Sequence, residues 1–129
     1  MNKKVVIIDY GMGNIASVQK ALNFLNIDNI ITNSHNDILD SSAIILPGVG
    51  SFNQGIKNLK NRNLDSLLTD EVLNKKKPFF GICLGMQLIL EKGSEPEECE
   101  GLGWIEGEVK KISNVNLSIP HLGWNDIKV

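Results

Sequence analysis

Phe79-Phe80-Gly81-Ile82-Cys83-Leu84-Gly85-Met86-Gln87 is an apolar run broken by two glycines that flank a cysteine. Phe79 to Cys83 reads as a buried strand, and Met86 to Leu90 as the start of a helix after a sharp turn. The spacing G-x-Cys-x-G is that of a nucleophile elbow, in which glycines on either side let neighbouring backbone close around a strained strand-to-helix turn. Cys83 is then thrust out at the carboxyl edge of a sheet. A thiol placed at a helix N-terminus feels the positive end of the dipole, which favours its thiolate, the form that attacks an amide carbonyl.

The flanking sequence predicts the rest of that sheet. Val5 to Ile8 and Ala43 to Leu46 are short, β-branched runs of the kind buried in parallel sheets, and Ile27 to Thr32 is the strand expected between them. Ile15, Val18, Ala21, Leu22 and Leu25 mark one face of a helix. Asn33 to Ser41 reads as a polar connection. Ile56 to Val72 holds two short helical pieces, with Lys75-Lys76-Lys77 as a solvated cap at their end. This alternation predicts an α/β fold: a doubly wound, mostly parallel sheet with helices on both faces. Beyond Gly93 the sequence is Glu-rich and turn-like as far as Gly103, and Trp104 to Ile112 and Ile119 to Val129 read as later strands or hairpins.

Bulk properties narrow the function. The chain has 129 residues, 42% of them hydrophobic, which is the range of one domain with a proper core. Thirteen basic and fifteen acidic residues leave a formal charge of −2, so no basic face invites nucleic acid. Cys83 and Cys99 form no C-x-x-C pair, so neither a zinc cluster nor a disulfide framework is expected, and a reducing cytoplasm suits them. Asp9 interrupts the first apolar run far short of a signal peptide, and no stretch is long enough to span a membrane. No metal and no cofactor are expected.

An oxyanion that develops on the substrate needs donors. The backbone N–H of Leu84 follows the nucleophile directly and is one candidate. Pro47-Gly48-Val49-Gly50 ends the neighbouring strand, and Gly50 is the candidate for the second. Gly11-x-Gly13-x-x-Ala16 also satisfies a permissive dinucleotide fingerprint, but the second strand ends in Thr32-Asn33-Ser34-His35, without the acidic residue a ribose would need. A cysteine hydrolase of esters or lactones shares the elbow and is a further alternative.

Four stretches taken together carry a family resemblance: Asp9-Tyr10-Gly11-Met12-Gly13-Asn14, Pro47 to Phe52, Gly81 to Gln87, and Pro120-His121-Leu122-Gly123-Trp124-Asn125. They resemble the glutaminase subunits of imidazole glycerol phosphate synthases, within the class I glutamine amidotransferases. The resemblance implies a flavodoxin-like fold, with residues 1–129 forming the N-terminal portion of one amidotransferase domain cut short on its C-terminal side. It implies that Cys83 attacks L-glutamine, that Gly50 and Leu84 serve the oxyanion, and that Gly48, Val49 and Gln87 contact the substrate. Asn14, His121 and Trp124 would face a cyclase subunit of (β/α)8-barrel type in a heterodimer. A core-filling Trp124 is the competing reading.

The family's base and orienting carboxylate, His and Glu, lie downstream of anything in this sequence. Neither His35 nor His121 begins a matching His-x-Glu element, and little turnover is expected of these residues alone. A related amidotransferase feeding surface-sugar biosynthesis, or a non-catalytic docking partner, are the alternatives.

Overall fold

The computed structural model describes residues 3–113 and 116–129. Four parallel strands, β1 (Val5–Ile8), β2 (Asn29–Thr32), β3 (Ala43–Leu46) and β4 (Phe79–Gly81), form a sheet in the order β2-β1-β3-β4. The register runs Ile7 to Ile31 and Ile45, and Leu46 to Gly81. This is the doubly wound order in which the switch point falls between β1 and β3. The loops after those two strands meet there.

Helices α1 (Ile15–Phe24), α2 (His35–Asp40), α3 (Phe52–Asn61) and α4 (Leu64–Thr69) connect the strands. Strand side chains alternate between faces. Val6, Ile8, Ile44 and Leu46 join Ile38, Ile56, Leu59, Leu64 and Leu68 in one buried core. Ile7 and Ile45 point to the opposite face, where α1 lies against β1 and β2. That helix buries no residue fully, and Phe80, the register partner of Ile45, is 63% exposed.

Several expectations are corrected. The polar stretch Asn33 to Ser41 contains α2, because Ser34 caps it by accepting from the Asp37 N–H and Ile38 anchors it in the core. The helix after Cys83, α5, spans Leu84–Gln87 and stops short of Leu90. Its continuation is blocked because the carbonyls of Leu88 and Ile89 accept from the N–H groups of Leu102 and Trp104. The Glu-rich stretch is not merely turns: β5 (Leu90–Ser94) and β6 (Glu98–Glu100) pair antiparallel, and β7 (Ile105–Val109) lies parallel to β5 on its other side. Residues 119–129 hold no regular element and are exposed, since alternation alone does not make a strand without a pairing partner.

The lysine run is a solvated helix end at Lys75 and Lys76, but Lys77 turns inward. α4 continues as a π-helical segment, Asp70–Asn74, that buries Glu71. Lys75 and Lys77 both pair with Glu71, and the Lys77 side chain is only 11% exposed. Its ammonium also donates to the carbonyls of Ile38 and Leu39, which ties the end of α2 to the base of β4.

Trp104 joins the second sheet to the first. Its ring meets Phe79 edge-on at 4.9 Å, and its indole N–H donates to the Thr69 hydroxyl at 2.9 Å. Gly93 and Gly101 bring β5 and the β6–β7 connection against the Phe52 ring, where a Cβ on either would crowd it.

Candidate active site

Cys83 stands between β4 and α5 with φ 53° and ψ −117°, a backbone conformation that costs a side-chain-bearing residue of order 1–3 kcal/mol. Neighbours hold it there. The Ile82 N–H donates to the Leu46 carbonyl at 3.0 Å, and the Gln87 N–H donates to the Cys83 carbonyl at 3.1 Å. A Cβ on Gly81 would lie 2.7 Å from the Met86 Cα, and one on Gly85 would collide with the Leu46 carbonyl oxygen. The two glycines are therefore required by contact, and the Cys83 side chain is left exposed at the carboxyl edge of the sheet. The helix behind it is a single turn, so the dipole invoked from the sequence is a small contribution.

The loop Pro47–Gly50 lies directly beside the elbow. Gly48 is walled in by the Tyr10 hydroxyl, the Leu84 Cβ and the Gly85 nitrogen. Gly50 has φ +117° and faces the Met12 methyl. Val49 is exposed. The Leu84 N–H, however, is not free: it donates to the Gly48 carbonyl at 3.2 Å. In this conformation the donor expected from the sequence is taken by a backbone carbonyl of the neighbouring loop.

Gln87 is half-buried and lines a cavity of about 380 Å³ with Ser94, Glu95, Val109, Lys110 and Lys111. Glu95 is a residue that sequence reasoning missed. Its place beside Gln87 follows from the β5–β6 hairpin, and its carbonyl is held by the Asn53 N–H at 3.2 Å. The lining is polar and carries both signs of charge, and Cys83 is not part of it.

The other candidates fall into two groups. Asn14 caps α1, accepting from the Ser17 N–H, so it has a structural task on the loop whose Gly13 abuts Gly48. His121 and Trp124 lie on the exposed 119–129 segment, away from any core; Trp124 is fully exposed, which contradicts the core-filling reading. Both histidines are engaged elsewhere: the ring of His35 with the Arg62 carbonyl at 3.1 Å, and that of His121 with the Asn125 amide at 3.0 Å.

A family model described as glutamine amidotransferase class-I matches residues 6–126. The chain belongs to that family. Among curated relatives of this class-I amidotransferase are the imidazole glycerol phosphate synthase subunit HisH 1 of Campylobacter jejuni strain 81-176, 48% identical over 97% of this chain and 63% of that protein. The HisH subunit of Bacillus cereus strain B4264 is 46% identical over 96% of this chain and 58% of that one. The chain thus spans about three-fifths of the length of the curated relatives it matches. A solved structure titled as a glutamine amidotransferase superposes with a TM-score of 0.67 at 19% identity, over 80% of this chain and 54% of that one. Its likeness supports the amidotransferase fold. Among the described residues, no helix is long and apolar enough to cross a membrane.

Proposed function

We propose that residues 1–129 are the nucleophile-bearing portion of an amidotransferase domain, the glutaminase subunit of an imidazole glycerol phosphate synthase. The observation that carries this reading is the strained, exposed Cys83 locked between Gly81 and Gly85 beside the Pro47–Gly50 loop. The identity to HisH subunits supports the choice of subunit.

The Cys83 thiolate attacks the carboxamide carbon of L-glutamine, and the resulting oxyanion is held by the Leu84 N–H once the Gly48 carbonyl has turned away, with Gly50 lining the same loop. The C–N bond then breaks, and ammonia leaves with a proton from the base. Water attacks the γ-glutamyl thioester, releasing glutamate and the thiolate. Gln87, Gly48 and Val49 hold the substrate. The base and its orienting carboxylate are assigned, by the family resemblance, to the part of such subunits that follows the matched region.

The ammonia is passed to a barrel-type cyclase subunit in a heterodimer, with Asn14, His121 and Trp124 toward that partner. The complex works in the cytoplasm, where Cys83 stays reduced.

The test is labelling of Cys83 in the full-length subunit by a glutamine-mimicking chloroketone, read by mass spectrometry with and without glutamine. Protection by glutamine, together with release of glutamate and ammonia in the presence of the cyclase, is the expected result. Labelling indifferent to glutamine would instead favour a hydrolase of other acyl substrates.

A further inference from the structure

Three consecutive carbonyls at the end of β3 are each accounted for. Leu46 O accepts from the Ile82 N–H at 3.0 Å, Pro47 O from the Tyr10 hydroxyl at 2.7 Å, and Gly48 O from the Leu84 N–H at 3.2 Å. The first and third bonds go to backbone of the elbow itself. The middle one goes to a side chain from the end of β1, a residue with no exposed surface.

The three differ in what the proposed glutaminase reaction does to them. The third must break, because the Leu84 N–H cannot serve both Gly48 and an oxyanion. The first belongs to the strand ladder and stays. With the third released, the bond from Tyr10 is the one that remains on the Pro47–Gly48 peptide among the described residues.

We propose that Tyr10 is a positioning residue for the oxyanion loop: its hydroxyl fixes the Pro47 carbonyl, so that turnover of the loop is confined to the Gly48–Val49 peptide. This rests on the glutaminase reading above. Confinement matters because an oxyanion donor acts through preorganisation, and a loop free to shift at Pro47 loses aim.

Two features fit the role. The Tyr10 oxygen lies so close to Gly48 that any side chain at Gly48 would strike it, so clamp and loop are matched in shape. Burial, with the nearby Cys83 thiolate adding to it, pushes the phenol well above its ordinary pKa. It therefore remains a donor at every pH at which the thiolate works.

The experiment uses the full-length subunit with its cyclase partner and compares wild type, Tyr10→Phe, and a protein carrying 3-fluorotyrosine at position 10. Phenylalanine keeps the ring packing and removes the bond. The expected result is a kcat for glutamine hydrolysis lowered about tenfold or more, the magnitude of one lost buried hydrogen bond, with KM changed less than about twofold. Alkylation of Cys83 by iodoacetamide, which passes through no oxyanion, should be unchanged, while reaction with the chloroketone, which does, should slow in step with kcat. The fluorotyrosine protein, which retains the hydroxyl, should match wild type.

An unchanged or raised kcat in Tyr10→Phe overturns the proposal. So does an equal loss in both alkylation reactions, which would mean general loosening, or a fluorotyrosine protein as slow as the phenylalanine one. Absence of glutaminase activity in the wild-type complex would overturn the functional reading itself, a separate outcome.

Discussion

Gly85 packs against the Leu46 carbonyl so tightly that no β-carbon fits between them. This contact joins α5 to β3 and fixes where the Cys83 turn sits relative to the Pro47–Gly50 loop. A methyl at position 85 must push the elbow away from the sheet or break the Leu46–Ile82 hydrogen bond. Gly85→Ala should therefore cost more than about 3 kcal/mol, in the range of severe overpacking. Gly103→Ala is the control: φ is +68° there but nothing lies within 4 Å, so the cost should be about 1 kcal/mol. Urea unfolding of both variants measures this, and equal costs would count against the tight-contact argument.

Cys83 carries a conformation that glycine adopts without penalty. Cys83→Ala keeps the strain and removes the thiol, whereas Cys83→Gly removes both. The glycine variant should be more stable than the alanine variant by about 1 kcal/mol, the strain relieved less the entropy that glycine gains when unfolded. Both should lack all chloroketone labelling at position 83. If alanine proves the more stable of the two in thermal unfolding, the elbow is not strained in solution.

Much of this fold is legible in the sequence, and the misses have physical reasons. The runs Val5–Ile8 and Ala43–Leu46 announce buried strands because both of their faces are covered. α2 hides because it places one residue, Ile38, in the core; the Ser34-x-x-Asp37 cap was the available signal. β5 and β6 lack β-branched alternation, and they exist through pairing with each other and with β7. At the candidate site, the elbow is written in adjacent residues. The Gly48 carbonyl on the Leu84 N–H joins residues 36 positions apart, and the Tyr10 bond joins residues 37 apart, so neither has a local signature.

Trp104 links the two sheets by ring and by N–H. Trp104→Phe keeps most of the edge-on contact with Phe79 and loses the bond to Thr69. The Thr69 hydroxyl also donates to the Asp65 carbonyl, so it is not left unsatisfied. The loss should be about 1 kcal/mol. A double-mutant cycle with Thr69→Val should give a coupling of about 0.5–1 kcal/mol, and a coupling near zero would mean that the bond contributes nothing in solution.

Glu71 and Lys77, 2.7 Å apart beneath β4, make stability depend on pH. Burial alone would raise the Glu71 pKa, but the hydrogen bonds from Lys75 and Lys77 outweigh it and hold the carboxyl below its ordinary 4.5. As pH falls, the unfolded chain takes up this proton first. The contribution is therefore fully present above about pH 4.5 and is lost as pH drops through the lower folded value. Glu71→Gln should remove that part of the acid slope, so that its stability relative to wild type improves as pH is lowered from 6 toward 3. At neutral pH, Glu71→Ala leaves Lys77 nearly buried without its anion and should cost about 3–5 kcal/mol. Lys77→Met, which strands the carboxylate beside the half-exposed Lys75, should cost less. Guanidinium unfolding at pH 7 and pH 4 distinguishes these cases, and parallel acid slopes for wild type and Glu71→Gln would show that the pair does not govern acid stability.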